Sequence, residues 1–569
     1  MIDLRPSRRL PVVEILPPVS AGRDAALPSD DRLTEFRPED VALPSFFVWT
    51  LGCQMNRSDS EEMAGRLLAA GCPEAATLEG ADLIVINTCA IREAAEAKVV
   101  GRQGYLATLR DRNPALRVVL TGCAVRELDR GRLPRRYPAV DVFLRPDEEP
   151  EIVERLGLAS AQASVGIASG VDTARTTIVN RTVVSAADLL PGTRAAAVAA
   201  GAVHRGSSIS AWLPIVYGCD KTCTYCIVPL TRGPERSRPF DDIIAEARAL
   251  AAAGYREVTL LGQNVNSYGH DLPPEARFAH VDTERSVGRR LDRAARPDLA
   301  ELLAAVDGIG DGAGRPAIPR LRFLTSHPWD LSDRLIDAIA GRPSVCEHLH
   351  LPIQSGDDAM LRRMGRQYTV EHYRGRVERL RAAVPGIAVS TDVIVGFCGE
   401  TDAQFRATLR LLEEMRFDQV FAAAFSPRPG TPAALLPDDV RAAEKRRRLN
   451  ELLALQEGIG LDRNRAWLGR EVEVLVDQAS SPASHDHEGE PGAADAVAAE
   501  PDETAAGPEK GHGDGERPPE APGPGEARLA GRSREGRLVH LVGDPGLVGA
   551  LVRARIVHAG PYSLRGRLA

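Results

Sequence analysis

The run YGCDKTCTYCIVPLTRG at residues 217–233 places Cys219, Cys223 and Cys226 within eight residues. Thiolates so closely spaced select zinc, copper or iron-sulfur clusters, yet three ligands leave a tetrahedral ion one short. The nearest histidines, His204 and His270, lie well outside the loop and at no recognised zinc spacing. A cubane cluster held by three cysteines keeps one iron open, which is what an iron site needs if it is to hold and reduce a small molecule. Two alternatives stand beside it: a structural zinc completed by a distant fourth ligand, and three core thiols packed like small hydrophobes. The polar residues Asp220, Lys221 and Thr222, following an apolar strand, argue against the second.

A second triplet is spread over the first quarter of the chain. Cys53 lies in TLGCQMN, Cys89 in NTCAIRE and Cys123 in LTGCAVRE, each just after a short apolar run at 46–50, 83–87 and 118–121. Helical patterns at 58–70 and 92–109 separate these runs, and a fourth strand is expected at 140–144. Such alternation implies a parallel sheet with helices on both faces. Its carboxyl strand ends are where open α/β sheets place ligands. Three thiolates in one crevice read as a second cluster with another vacant iron. Gly52 and Gly122 would let the backbone approach it closely, and helices starting just after each cysteine would direct partial positive charge at it. Cys72, Cys346 and Cys398 stand singly and read as core thiols.

The 569 residues imply three to four folded units. Residues 1–44, rich in Pro, Arg and Asp, read as a disordered extension; 45–160 form the N-terminal parallel-sheet unit, and 161–204 a linker. From 205 to 440 six further strands, at 212–217, 257–261, 321–325, 348–353, 388–395 and 419–425, alternate with helices. They predict a (βα)6 partial barrel whose site lies at the carboxyl strand ends, where the 219–226 loop sits. A charged stretch at 270–292 is a surface insertion. A connecting helix at 441–465 leads to a small β-barrel at 466–569, interrupted by an acidic, disordered insertion at 478–528.

The net charge of −8 is unevenly distributed. Residues 478–528 hold twelve Asp or Glu against three Lys or Arg, whereas 531–569 hold seven Arg against two acids, a local footprint for phosphate. Nine cysteines, with neither a signal-peptide-like apolar run nor a membrane span, predict a soluble cytoplasmic protein with reduced thiols.

These motifs resemble the radical S-adenosylmethionine (radical SAM) methylthiotransferases, most closely the MiaB type, the tRNA-2-methylthio-N6-isopentenyladenosine synthases. The resemblance runs from about residue 45 to 569 outside the insertions. It rests on the CxxxCxxC loop with Tyr225 before its third cysteine, on TLGCQMN, NTCAIRE and GCAVRE, and on LLGQNVNSYG (260–269), HLPIQSGDDAMLRRMGRQYT (350–369), DVIVGF (392–397) and YSLRG (562–566). It implies an N-terminal flavodoxin-like domain, a central radical SAM partial TIM barrel and a C-terminal RNA-binding TRAM barrel.

By the same resemblance, Cys219, Cys223 and Cys226 hold the [4Fe-4S] cluster that cleaves S-adenosylmethionine to a 5′-deoxyadenosyl radical, and Cys53, Cys89 and Cys123 hold an auxiliary [4Fe-4S] cluster. The implied reaction puts a methylthio group on carbon 2 of isopentenyladenosine at tRNA position 37. It consumes two S-adenosylmethionine molecules per turnover, with an electron donor the motifs do not specify. An aromatic C–H has no acidic proton for a general base, which is why a radical route is needed, with the cofactor carrying the hard step. Tyr225 and Gly396 are expected near the adenine, and Gly262, Gln263 and Asn264 near the methionine amino group. Arg532, Arg534, Arg537 and Arg565 are expected to contact the tRNA anticodon stem-loop. Cys398 stands where the family pattern has proline. A monomer with no membrane partner is expected. Methylthiolation of threonylcarbamoyladenosine or of a ribosomal protein is the alternative within the class; a non-catalytic iron-sulfur RNA-binding protein is the alternative outside it.

Overall fold

The computed structural model describes residues 43–90, 93–126, 129, 131–158, 203–281, 284–287, 290–293, 295–480, 522, 523 and 525–569. Nearly all of the expected N-terminal extension, most of the 161–204 linker and the centre of the acidic insertion lie outside the described residues.

In the first unit β1 (Phe46–Leu51), β2 (Leu83–Thr88), β3 (Arg117–Thr121) and β4 (Val142–Phe143) form a parallel sheet in chain order. Successive side chains on a strand point to opposite faces. Phe46, Leu83, Val85 and Val119 therefore pack under α1 (Gln54–Ala69) with Met63 and Leu67, while Ile84, Ile86, Val118 and Leu120 pack under Val99, Leu106 and Leu109 of α2 (Glu93–Gly101) and α3 (Gln103–Arg112). The single helix expected at 92–109 is thus two, parted after Gly101, a poor helix former.

The second unit has β5 (Ser210–Pro214), β6 (Glu257–Leu261) and β7 (Arg320–Phe323) paired in parallel, and β8 (His348–His350), β9 (Ala388–Val395) and β10 (Gln419–Ala424) likewise. A parallel bridge from Leu321 to Val345 joins the two groups into one six-stranded open barrel. Helices α4 (Phe240–Ala252), α5 (Leu299–Asp307), α6 (Asp333–Gly341), α7 (Val370–Ala383) and α8 (Asp402–Met415) bury Ile243, Leu302, Ile336, Val377 and Leu412 against Leu213, Leu260, Phe323, Leu349 and Val393 of the strands. Four of these helices start on a side chain that accepts a backbone N–H, from Asp298, Ser332, Thr369 and Thr401, each cap contributing about 1 kcal/mol. The alternate strand residues Arg320, Arg322, His348, His350 and Ser390 are left for the lumen. Part of the 270–292 insertion is ordered, since Glu284–Val287 pairs with Arg290–Arg293 as an antiparallel hairpin.

Helix α9 (Ala442–Arg465) leads to a closed barrel of β11 (Glu471–Ser480), β12 (Ala527–Ser533), β13 (Leu538–Gly543), β14 (Leu551–Ala559) and β15 (Ser563–Leu568), in the order 11-12-13-15-14. The 478–528 insertion is shorter than its composition implies: Ser480 pairs with Arg528 and Ala479 with Leu529, so 478–480 and 527–528 belong to the ladder.

Buried arginines fasten the three units together. Arg205 donates to Glu246 on α4 at 2.7 Å and lies 3.6 Å from Glu61 on α1. At the amino-terminal end of the lumen, Arg322 donates to Glu257 (2.7 Å) and to the carbonyls of Ser533 (2.7 Å) and Arg534 (2.9 Å), and Arg320 to that of Glu473 (2.9 Å). From the barrel side Arg534 forks onto Glu347 at 2.7 and 2.9 Å, and Arg537 onto Asp418 and Asn464. The turn 533–537 is a floor for the open barrel. Removing one member of such a buried set costs about 3–5 kcal/mol. Arg322→Met is therefore expected to lower stability by about that amount and to accelerate amide hydrogen exchange in 531–537. Unchanged exchange there would refute the docking role.

Candidate active site

The first three strands end in register: Thr50 lies opposite Asn87, Leu51 opposite Thr88, and Asn87 opposite Thr121. Chains leaving such strands carry Cys53, Cys89 and Cys123 to one place. Cys89 N–H donates to the Leu51 carbonyl at 3.0 Å. The buried amides of Asn56 and Asn87 bind each other, Asn56 Nδ2 to Asn87 Oδ1 at 2.7 Å and Asn87 Nδ2 to the Asn56 carbonyl at 2.8 Å. This pair pins the first turn of α1 to β2, and Cys53 stands at the extended N-cap with its Sγ 3.2 Å from Asn56 Oδ1.

The glycines serve that pair rather than a bulky group. A Cβ on Gly52 would lie 2.7 Å from Asn56 Oδ1, and one on Gly122, whose φ is +88°, 2.4 Å from Asn87 Oδ1 and 2.3 Å from the Thr88 carbonyl. Helix dipoles do not aim at all three thiols. Among the described residues only α1 starts directly after its cysteine, while Cys123 enters a turn closed by Val125 N–H on the Gly122 carbonyl.

The second triplet is fixed from two sides. Gly218, at φ +74°, sits so close to the next segment that a Cβ would come within 2.0 Å of the Pro234 carbonyl, and Cys219 N–H donates to Gly233 O at 3.2 Å. On the other side Thr224 N–H and Oγ1 donate to the carbonyls of Met364 and Arg363, both at 2.9 Å.

The two triplets approach each other at the boundary between the first two units. A hydrogen bond with Cys89, above all, and the Arg232 charge depress Cys53 to a pKa of about 6, whereas burial, with a smaller contribution from the Cys53 charge, raises that of Cys123. Burial pushes Cys219 and Cys226 up to about 12; for Cys226 the charges of Cys223 and, across the domain boundary, Cys123 add to the rise. Ile227 packs against Ala90 and Cys123 at that boundary.

Two buried arginines that sequence reasoning passed over complete the triplets. Arg232 Nε donates to Cys123 Sγ at 3.2 Å while its Nη2 pairs with Asp59 at 2.7 Å. Arg366 Nη1 donates to Cys223 Sγ at 3.3 Å, its other nitrogens binding Tyr368 (2.7 Å) and the Pro352 carbonyl (2.8 Å). Both lie inside the motif runs, six residues after Cys226 and two after Met364; only their partners were invisible. A three-thiolate centre is anionic, and one permanent cation on a sulfur of each triplet fits that charge.

The barrel mouth is lined by acceptors lacking a donor. Gln263 Oε1, Asn264 Oδ1, Ser326 Oγ and Gln354 Oε1 are buried without a hydrogen-bond partner, a costly state unless a ligand supplies the protons. Asn264 Nδ2 holds Asp330 at 2.8 Å, and Lys221 of the cysteine loop pairs with the same carboxylate at 2.7 Å. Thr325 and Gln354 have φ values of +69° and +74°; such strain at strand ends gathers at functional sites. Tyr225 packs edge-on to Phe397, ring centres 6.5 Å apart.

Gly262 and Gly396 have packing reasons of their own: a Cβ would meet Val216 Cγ1 at 2.3 Å and Lys445 Cγ at 2.4 Å, respectively. The arginines expected on RNA are displaced more plainly. Arg534 and Arg537 are tied into the domain interface, and Arg532 donates to the Gly536 carbonyl at 3.2 Å beside it, because the 533–537 turn faces inward. Arg565 is half-buried on β15. Lys445 and Arg448 of α9 are buried on Asp438 and Glu400. The exposed arginines are instead Arg553 and Arg555 on β14, with Arg567 directly across from Arg555 and Tyr562 71% exposed nearby in sequence.

A profile of the radical SAM superfamily matches residues 213–412, and one of an uncharacterized family, UPF0004, matches 45–145. Proteins named tRNA-2-methylthio-N(6)-dimethylallyladenosine synthase are similar over most of the chain. That of Thermoanaerobacter pseudethanolicus is 36% identical across 92% of each protein. That of Geobacillus thermodenitrificans is 38% identical across 92% of this chain and 83% of its own length. That of Dictyoglomus thermophilum is 36% identical across 92% and 99%.

A thiol with pKa near 6 is mostly thiolate at pH 7, and one near 12 is protonated. In cluster-free protein at pH 7, Cys53 is therefore expected to be alkylated well ahead of Cys219 and Cys226. Peptide mapping after a brief iodoacetamide pulse checks the order, and equal labelling would refute the depressed value.

Proposed function

The chain belongs to the tRNA-2-methylthio-N(6)-dimethylallyladenosine synthases of the radical SAM superfamily, and from this we propose that it methylthiolates carbon 2 of N6-isopentenyladenosine at tRNA position 37. The observation that carries the proposal is that Ile227, next to Cys226, packs against Cys123 and against Ala90, next to Cys89, while Arg232 of the same loop donates to Cys123 Sγ, which brings the two triplets to one domain boundary. When bound, a [4Fe-4S] cluster on Cys219, Cys223 and Cys226 supplies the electron that cleaves S-adenosylmethionine, and one on Cys53, Cys89 and Cys123 supplies the sulfur, two cofactor molecules being consumed.

The chain's own residues bind and orient. The unpaired oxygens of Gln263, Asn264, Ser326 and Gln354 match the donors of an ammonium group such as that of methionine. The half-buried Tyr225 ring, backed edge-on by buried Phe397, offers an apolar wall for a purine. The Lys221–Asp330–Asn264 chain ties the cysteine loop to the barrel mouth, so that a ligand seated there meets a fixed thiol frame. Arg366 and Arg232 keep a donor on one sulfur of each triplet.

For tRNA, the outward face of β14 and β15 replaces the arginines first expected. Arg553, Arg555 and Arg567 are exposed on this face, with Arg555 opposite Arg567 in the ladder and paired with Glu471 at 3.1 Å. Exposed Tyr562 adds a surface on which a base can stack. No helix among the described residues is long and apolar enough to cross a membrane. Cytoplasmic action as a monomer accords with a tRNA substrate.

Iron analysis and nucleoside mass spectrometry test the assignment together. Replacing either cysteine triplet by alanine is expected to leave about half the iron and to abolish 2-methylthio-N6-isopentenyladenosine in a complemented deletion strain. Unchanged iron in either variant, or persistence of the nucleoside, would overturn it. Arg553→Ala with Arg567→Ala is expected to weaken tRNA binding and to flatten its salt dependence by about 0.7–0.9 in log–log slope per lost phosphate contact. An unaltered slope would move the RNA surface elsewhere.

A further inference from the structure

Taking Cys53, Cys89 and Cys123 as cluster ligands, as proposed above, we infer that Arg232 is a positioning residue for that cluster, donated by the opposite domain, which sets its reduction potential through a hydrogen bond to the Cys123 sulfur. Arg232 ends the short helix Val228–Arg232, which begins two residues after Cys226. Gly233 then turns the chain back, at φ +74°, so that its carbonyl accepts from Cys219 N–H. The guanidinium is thus part of the closed loop bearing the central triplet. From there it crosses to the N-terminal domain, with Nε on Cys123 Sγ at 3.2 Å and Nη2 on Asp59 at 2.7 Å. Asp59 belongs to α1, the helix capped by Cys53. One side chain therefore touches one ligand of the first triplet and the helix that starts at another of its ligands, while anchored to the loop of the second triplet.

An interdomain ion pair alone would need only Asp59. That pair satisfies the buried charge, yet Nε remains aimed at sulfur, which a point cation would not require. The guanidinium fork donates in two fixed directions at once; an ammonium at the same place would follow the carboxylate and leave the thiolate without a directed donor. A hydrogen bond to a ligand sulfur stabilises the more negative, reduced state of a cluster, as does nearby positive charge. Removing Arg232 should lower the potential, and removing the Asp59 charge while keeping Arg232 should raise it.

The experiment uses full-length protein carrying Cys219→Ala, Cys223→Ala and Cys226→Ala, reconstituted anaerobically with iron and sulfide so that only the auxiliary triplet is loaded. Iron content is measured, and the midpoint potential is titrated by electron paramagnetic resonance. Arg232→Met and Arg232→Lys are expected to retain the parent's iron with a more negative midpoint and an altered resonance line shape. Asp59→Asn is expected to shift the midpoint the other way. A midpoint in Arg232→Met equal to the parent's, at full iron, overturns the inference. So does loss of iron from both Arg232 variants, which would reduce the residue to a domain tie. If the parent itself holds no iron, the assignment of the auxiliary triplet fails instead, and the two failures are distinguished by that single measurement.

Discussion

Three thiols carried by three different strands can share a cavity only if those strands end at the same level, and the parallel register of Thr50, Asn87 and Thr121 meets that requirement. Parallel pairing alone would leave the chain free to leave the sheet in several directions. The reciprocal Asn56–Asn87 amide pair removes that freedom by fixing α1 against the end of β2, with Gly52 and Gly122 bare because a methyl group on either would strike it. A buried amide pair is worth keeping only when fully bonded, and here both amides are engaged. Register, amide lock and glycines form one device, and the position of every thiol in the first triplet depends on it.

The second requirement is that two independently folded sheets face each other without slack. Buried guanidiniums meet it at each boundary: Arg205 and Arg232 between the first two units, Arg320, Arg322, Arg534 and Arg537 between the second and third. Arginine suits the task because a planar fork bonds a carboxylate and a carbonyl together, and because it keeps its charge when buried. The same chemistry explains why the basic character of the C-terminal segment misled a reading based on charge alone. Arginines on the 533–537 turn neutralise carboxylates at the barrel floor, whereas Arg553, Arg555 and Arg567 on β14 and β15 remain on the surface.

At the barrel mouth the balance is reversed. Positive φ at Thr325 and Gln354 and four unbonded buried oxygens are local costs that the protein alone does not recover. They sit where parallel strands open toward the cysteine loop, and three of the oxygens are amide carbonyls, acceptors awaiting donors, the fourth being the Ser326 hydroxyl, which can do either. The lumen below them is closed by the 533–537 turn, with Gly536 against His348, so the mouth is the end of the barrel left for a ligand.

Much of this was determined by the sequence alone. The CxxxCxxC loop, the three strand-end cysteines and the six-strand alternation were legible because metal-ligand spacing and hydrophobic period are local properties. The strands Glu257–Leu261 and Ala388–Val395 have the limits their apolar patterns imply. Tertiary structure alone decided which arginines face sulfur, carboxylate or solvent. Arg232 and Arg366 were present in the motif runs, and Arg534 and Arg537 in a basic segment, but an arginine's role is set by its partner. Cys123 lies 109 residues from Arg232, and Glu347 lies 187 from Arg534. No pattern within a strand or helix encodes contacts over such separations; they exist only once the sheets have docked.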